Sequence, residues 1–182
     1  MTQLAPRYDD LYRIGLAALA VDDDDVEEAA AELSEEWDLR DLPAAMEALY
    51  EARRASGLRV YELEDRSGVS FNAGHAWLNG HRSAHLSCFV AVAQTLGFET
   101  LLRKKDNPAV CFDLSRTAEV MQALNKAREE SGMFTTELRE RSGVSMSSFY
   151  SWLRRYRDPT IGKLVFVADA LGFDVIMRRK LK

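Results

Sequence analysis

The feature of this sequence that most constrains its fold is a long internal repeat. Residues 48–105 align without a gap onto residues 123–180, with 24 identities in 58 positions. Most identical positions are apolar anchors and turn glycines, and five of them form one run, in which Arg66–Ser70 matches Arg141–Ser145. Each copy of such a repeat forms one structural unit. The 182 residues therefore predict two small domains.

The periodicity of apolar residues predicts four short helices and one strand in each copy. In the first copy a helix capped by Asp41 ends at Gly57, and a second helix runs from Val60 to Arg66. The remaining predictions are third helices that begin at Ser70 and Ser145, fourth helices at about 85–95 and 160–170, and strands at 98–104 and 173–179. We expect the two strands to pair antiparallel and to hold the copies together.

Two short helices joined by a tight turn that contains glycine are the arrangement of helix-turn-helix (HTH) proteins. Both copies carry this pattern, as "ELEDRSGVSFNAGHAWL" and "ELRERSGVSMSSFYSWL". The second copy, from Gly132 through "TELRERSGVSMSSFYSWLRRYRDPTI", and the first, from Gly57 through "YELEDRSGVS" and "WLNGHR", resemble the Cro/CI-type (XRE) family of bacterial and phage DNA-binding proteins. The resemblance implies a mainly all-α fold, with two lambda-repressor-like HTH domains in tandem, each followed by a short β-strand.

Outside the repeat, the chain begins with an acidic segment. Residues 1–47 carry 14 Asp and Glu against 3 Lys and Arg, whereas the rest carries 15 against 21. We read "YDDLYRIGLAALA" as an amphipathic helix and "DDDDVEEAAAELSEEW" as an acidic helix that ends near Trp37. The expected domains are an acidic helical N-terminal extension (1–42), a first HTH domain (43–105), a linker (106–117) and a second HTH domain (118–182). A basic body behind an acidic segment fits a polyanion binder, and a solvated helix pair without a partner is the alternative.

The resemblance also implies which side chains face DNA. The candidates that face bases are Ser70, Phe71, Asn72, His75, Ala76, Ser145, Met146, Ser147, Tyr150 and Ser151. The candidates that face phosphates are Asn79, His81, Arg82, Arg154, Arg155, Tyr156 and Arg157. Neither third helix offers the long Arg or Gln that makes the strongest base contacts, so we expect modest base reading, with more of the affinity from the arginines of the second copy.

Two departures from the family pattern concern the packing and the phosphate contacts of these helices. Family members often carry Gln near the start of the second helix, where this chain has Val60 or Thr135, and Gly74 stands where its counterpart Phe149 supplies a large apolar side chain.

The histidines of the chain invite a metal-site interpretation, because all three lie in "GHAWLNGHRSAH". Their counterparts in the second copy are Tyr150, Tyr156 and Thr160, so the repeat does not require metal ligands there, and we expect neither a metal nor a cofactor. No phosphate-cradling loop, nucleophile elbow or paired acid and base is recognisable, so we expect no enzyme. Two irregularly placed cysteines and no apolar span or leader favour a cytoplasmic, nucleoid-associated protein without membrane contact.

These features together predict a sequence-specific regulator of transcription that binds double-stranded DNA. Its two HTH units would act as an intramolecular pseudo-dimer on an imperfect palindrome, in a monomer or in a homodimer. For the acidic extension three roles stay open: packing on the first unit, which is the default, contact with RNA polymerase or another regulator, and occupation of a basic surface as a DNA mimic. The alternative is a protein-interaction module, such as an antitoxin or anti-activator, in which one HTH unit has lost DNA reading.

Overall fold

The computed structural model describes residues 35–70, 76–77 and 83–180. The chain divides into two units, residues 1–35 and 36–182, and every element below belongs to the second. Four strands form one antiparallel sheet in the order β1-β4-β2-β3: β1 (Glu36–Asp38), β2 (Phe98–Lys104), β3 (Cys111–Asp113) and β4 (Phe173–Arg179). The helices of the described part are α1 (Leu42–Ala55), α2 (Val60–Ser67), α3 (Leu86–Thr95), α4 (Thr117–Glu130), α5 (Thr135–Ser142), α6 (Met146–Leu153) and α7 (Ile161–Ala170).

Local signals mark the starts of α1 and α6 and the ends of α2 and α5. Asp41 and Ser145 are the N-caps of α1 and α6, and each side chain accepts a hydrogen bond from a first-turn amide at 3.3 Å. Gly68 and Gly143 follow α2 and α5 with φ of 69° and 67°, a left-handed conformation that glycine adopts without a steric penalty. The predicted end of α2 is confirmed to within one residue, and α5 ends in the same way.

The predicted antiparallel pairing of the two long strands, β2 and β4, is also confirmed. Leu101 lies opposite Ile176, its own counterpart in the second copy. The other pairs of this ribbon come in twos: if a residue of the first copy faces a residue of the second, their two counterparts also face each other, as Glu99 with Arg178 and Asp174 with Arg103. An approximate two-fold axis that relates the copies therefore passes between Leu101 and Ile176.

The two outer strands extend this symmetry into segments for which we predicted other structures. β1 pairs with β4 and β3 pairs with β2, and the two outer strands are separated along the chain by the same offset as the copies of the repeat.

The prediction of a helix ending near Trp37 is wrong for residues 36–38, which form β1, and the predicted linker (106–117) contains β3. The fold combines helices with a four-stranded antiparallel sheet, and it contains more strand than the mainly all-α fold that we expected. A bare two-stranded ribbon would leave both edges unpaired, and these strands cover them. Residues 1–34 of the predicted extension lie outside the described part.

The two faces of the sheet differ in what covers them. On one face the side chains of Phe98, Leu102 and Val175 join the main hydrophobic core beneath the helices. Ile176, only 1% exposed, alternates with these residues and lies on the other face. There Arg103 on β2 forms an ion pair with Glu36 on β1, with N–O distances of 2.7 and 2.9 Å. By the register, Glu36 lies opposite Arg178 and Arg103 opposite Asp174, so the ion pair spans the position of Ile176 on the same face.

A second contact between the copies lies at the starts of α3 and α7. His85 forms an isolated antiparallel bridge with Thr160, which is again its own counterpart. The bridge is flanked by two equivalent bonds: Leu86 N donates to Pro159 O at 2.8 Å, and Ile161 N donates to Ala84 O at 2.9 Å. The two-fold axis therefore also passes through this bridge. Since α3 and α7, of ten residues each and about 15 Å long, run from the bridge towards the strands, the bridge lies on the helical side of the sheet.

Candidate nucleic-acid interface

Helices α5 and α6 are joined by a turn of three residues, 143–145, whose geometry is fixed by buried polar contacts. The Ser142 hydroxyl donates to Leu138 O at 2.6 Å and accepts from Val144 N at 3.2 Å. In the first copy Ser67 makes the same two bonds, at the same 2.6 and 3.2 Å. Both copies therefore turn the chain in the same way after α2 and α5.

Helix α6 buries one face and leaves the other accessible. Phe149 and Trp152 are buried in the core, as is Trp77 of the first copy. Among the predicted base-facing residues, Ser145 and Ser147 are exposed, whereas Met146 and Tyr150 pack partly against the core. The helix therefore presents small hydroxyl groups and the edge of Tyr150 rather than long side chains.

Several of these hydroxyl groups already have intramolecular partners. The Ser145 hydroxyl caps α6 and lies 3.1 Å from the Ser147 hydroxyl and 2.9 Å from that of Ser148. The half-buried Ser151 donates to Ser147 O at 2.6 Å. Each of these bonds uses a donor or acceptor site of a serine hydroxyl group. Fewer sites therefore remain on the exposed face of α6 for strong base-specific hydrogen bonds.

The loop after α6 is the strongly basic part of this surface. All four predicted phosphate-facing residues of the second copy, Arg154, Arg155, Tyr156 and Arg157, are exposed. Within the described part of the chain, none of the three arginines forms an ion pair. Their side chains are exposed, and no described carboxylate lies within ion-pair distance of them.

Arg155 has an unusual backbone conformation, with φ of 62°, in the region that glycine normally occupies. Tyr156 N donates to Ser151 O at 2.8 Å, and Arg155 N donates to Trp152 O at 2.9 Å. These bonds form a Schellman motif with arginine at the position where glycine is usual. The counterpart in the first copy is Gly80, so the two copies differ in residue type at this position.

The first copy is only partly described at the corresponding surface. Ser70 is exposed, and Ala76 is helical and half-buried. The other candidates lie outside the described residues: Phe71, Asn72, His75, Asn79, His81 and Arg82.

Helix α2 packs less tightly than its counterpart α5. It contains no buried residue, whereas α5 buries Leu138 and Ser142. Its first turn is held by Glu62, whose carboxylate accepts from the guanidinium group of Arg59 at 3.2 Å and from its backbone N–H at 2.7 Å. These two bonds lower the pKa of Glu62. The weaker packing fits the replacement of Phe149 by Gly74 at the equivalent position.

We did not predict from the sequence the link between the basic loop and the other copy. Asp158 accepts from Ser87 N at 3.0 Å and from the Ser87 hydroxyl at 2.7 Å, at the start of α3. Together with the bridge between His85 and Thr160, this contact anchors the loop at the two-fold axis. His85 and Thr160 occupy equivalent positions of the repeat, which could have indicated that they meet at the axis. Their side chains have diverged, so the residue types gave no such indication.

The described residues include no group of three or more His, Cys, Asp or Glu side chains arranged to hold a metal ion, and His75 and His81 lie outside them. His85 is the N-cap residue of α3, in agreement with the expectation that the third histidine begins a new helix. Among the described helices, none has both the length and the apolar character needed to cross a bilayer.

Comparison with family models, with curated proteins and with solved structures finds no match for this chain. The functional argument therefore rests on the geometry of this surface.

Proposed function

We propose that this chain is a sequence-specific transcriptional regulator that binds double-stranded DNA through two HTH units, α2 with the helix that contains Trp77, and α5 with α6. The two units act as an intramolecular pseudo-dimer on an imperfect palindrome. The single observation that carries the proposal is the approximate two-fold axis, defined independently by the β2–β4 ribbon and by the bridge between His85 and Thr160.

The two-fold axis supports DNA as the partner because duplex DNA has the same local symmetry. Proteins of HTH geometry place the second helix of each unit in the major groove, at half-sites about 34 Å apart along the duplex. A single chain with two units related by a two-fold axis supplies both helices without a second subunit. The sheet and the bridge hold the units in one arrangement, so the spacing of the half-sites is set by the fold.

The chemistry of the surface supports phosphate contacts as the main source of affinity. Arg154, Arg155 and Arg157 are exposed and form no ion pair within the described residues. Each neutralised phosphate releases counterions, so the logarithm of the binding constant falls with the logarithm of the salt concentration by about 0.9 per contact. The small hydroxyl groups of α6 add modest sequence preference.

The test is selection of binding sites from a pool of random-sequence duplexes by the full-length protein, followed by titration of the best site at about 50 and about 200 mM salt. We expect enrichment of one site and steep salt dependence. The double variant Arg154→Ala/Arg155→Ala should lower the slope of the salt dependence by roughly 1.8, because two phosphate contacts are lost.

The matched control is Lys104→Ala/Lys126→Ala, which removes the same amount of charge from β2 and from α4. We expect this variant to keep the slope of the wild-type protein. Equal slopes for the two double variants would mean that only net charge matters, and a pool without any enriched sequence would refute the proposed function.

One observation favours a second candidate function, a protein-interaction module in which the first unit has lost DNA reading. Helix α2 has no buried residue, and Gly74 replaces the core aromatic Phe149 of the second unit. Footprinting on the selected site separates the two candidates: the regulator protects two half-sites, whereas the alternative leaves the half-site of the first unit unprotected.

A further inference from the structure

Asp158 caps a helix that belongs to the other copy of the repeat. Helix α3 begins at Leu86, and its N-cap residue, His85, makes no side-chain capping bond. The Oδ2 atom of Asp158, 71 residues further along the chain, accepts from Ser87 N at 3.0 Å and from the Ser87 hydroxyl at 2.7 Å. Leu86 N donates to Pro159 O at 2.8 Å. The first two amides of α3 are therefore bonded to the second copy.

This side-chain contact runs in one direction only, although the backbone bonds beside it are reciprocal. In the repeat, the counterparts of Asp158 and Ser87 are Ser83 and Gly162. A Cβ atom built on Gly162 would lie 3.6 Å from the Ser83 hydroxyl oxygen, so Ser83 faces the start of α7 as Asp158 faces the start of α3. Ser83 brings no charge, and Gly162 offers no hydroxyl group. The contact can therefore be removed by a single substitution at Asp158.

Asp158 also connects the second HTH unit to the first. The preceding amide, Arg157 N, donates to Ser151 O in α6 at 3.3 Å, and the following Pro159 restricts the backbone of Asp158 to extended conformations. Bonds from the start of a helix to a carboxylate are strengthened by the charge and by the helix dipole. Helix α3 packs in turn against α2. A short route of bonded residues therefore leads from α6 through Asp158 to α3 and α2.

We propose that Asp158 is a positioning residue that fixes the relative orientation of the two HTH units, and with it the length of the spacer that the protein accepts between the half-sites. The proposal rests on the proposed function and deepens it. The β2–β4 ribbon joins the copies at the sheet, and the contacts at the starts of α3 and α7 join them on the helical side. Weakening the contact on the helical side lets the units pivot about the ribbon, so that more than one spacer fits.

The first measurement needs no DNA. Nitroxide spin labels are attached to cysteines that replace Asp65 in α2 and its counterpart Glu140 in α5, both exposed, in the full-length protein with Cys88 and Cys111 replaced by serine. Pulsed electron spin resonance then gives the distribution of distances between the labels. We expect one narrow distribution when Asp158 is present and a wider one in Asp158→Ala.

The second measurement is the affinity for the selected site and for versions with one base pair added to or removed from its centre. One base pair moves a half-site by about 3.4 Å along the duplex and rotates it by about 34°. We expect the wild-type protein to bind the altered spacers about tenfold more weakly, a factor that hydrogen bonds to a charged group can supply. Asp158→Ala should lose most of this preference.

Asp41→Ala is the matched control, because it removes a carboxylate cap from α1 within one copy. It should lower stability, as Asp158→Ala does, but leave the distances between the labels and the preference for spacer length unchanged. Asp158→Asn, which keeps an acceptor oxygen, should restore most of the preference. If circular dichroism shows that Asp158→Ala does not fold, Ser87→Ala, which removes the hydroxyl group on the other side of the contact, replaces it.

Three results would overturn the inference while leaving the proposed function standing. They are an Asp158→Ala variant with the narrow distance distribution of the parent protein, one that keeps the wild-type preference for spacer length, and equal widening in Asp41→Ala. The last would mean that lost stability, and not the lost contact, widens the distribution. A protein that enriches no site from the random pool fails earlier, at the proposed function, and the distances between the labels then decide whether Asp158 positions the units.

Discussion

Replacing Arg155 by glycine should make the protein more stable and make it bind DNA more weakly. Arg155 has a left-handed backbone with φ of 62° at the end of a Schellman motif, and Gly80 occupies the same position of the first copy. An L-residue with a side chain pays about 1–2 kcal/mol for this conformation. Glycine does not, so Arg155→Gly relieves a strain that the second copy carries.

The net gain is smaller than the strain because glycine loses more conformational freedom on folding. That entropy loss costs roughly 0.5–1 kcal/mol relative to alanine. The free energy of unfolding should therefore rise by about 0.5–1 kcal/mol. In thermal unfolding this corresponds to an increase in Tm of about 1–4 °C for a chain of this length.

The measurement is urea unfolding followed by tryptophan fluorescence, for which the buried Trp152 is a reporter one turn away from the substitution. The control is Arg154→Gly, at the preceding residue, whose φ of −85° is ordinary for any residue. That variant loses the same charge without relief of strain, so its free energy of unfolding should fall by about 0.5–1 kcal/mol. Equal effects of the two glycines on stability would refute the strain argument. Unchanged DNA affinity of the Arg155 variant would refute its role in binding.

Two further predictions concern the stability of the two copies. Leu138→Ala should lower the free energy of unfolding by about 2–4 kcal/mol because Leu138 is fully buried. Leu63→Ala, at the half-buried counterpart, should lower it by about 1 kcal/mol. Equal losses in urea unfolding would contradict the difference in packing. Partial burial acts to raise the pKa of Asp38, but hydrogen bonds from the guanidinium group and backbone N–H of Arg40 lower it overall. This carboxylate stabilises the fold above its unfolded pKa of about 4 and loses that contribution as the pH falls through its lower folded pKa, so Asp38→Asn should reduce stability at pH 7 and flatten its decline in acid. A decline as steep as that of the wild-type protein would refute this assignment.

The helices and the central ribbon could be predicted because their signals are local and long enough to read. The caps Asp41 and Ser145, the turn glycines and seven-residue alternating strands each specify an element without reference to the rest of the chain. The outer strands carry no such signal. Glu36–Asp38 and Cys111–Asp113 are three residues long, too short for a period of two to be recognised, and the first follows a run of helix-forming residues.

The repeat itself could have revealed those outer strands. Extending the alignment backwards at the same offset matches Asp38–Leu39 with Asp113–Leu114. The backbone amides of Leu39 and Leu114 make equivalent bonds, to Val175 O at 2.8 Å and to Thr100 O at 2.9 Å. Where two segments share only a few identical residues, their common offset along the chain indicates a common structure more strongly than their residue types do. The candidate DNA surface could be predicted as a set of residues, but its relation to the axis depends on pairing between segments far apart in the chain, which no local pattern contains.

The two copies have diverged at the bridge between His85 and Thr160 without losing its symmetry, because the hydrogen bonds of the bridge are made by the main chain. At the bridge, His85 faces Thr160 and Ala84 has Pro159 as its counterpart, yet the two flanking bonds keep nearly equal lengths of 2.8 and 2.9 Å. Backbone bonds tolerate such replacements because no side-chain atom takes part. In a homodimer every substitution on the DNA-facing surface appears twice, and the two half-sites must change together. In this chain Arg155 could change independently of Gly80, and Phe149 independently of Gly74. Under the proposed function, the same arrangement leaves each unit free to acquire its own half-site, and we expect the two halves of the DNA site to differ.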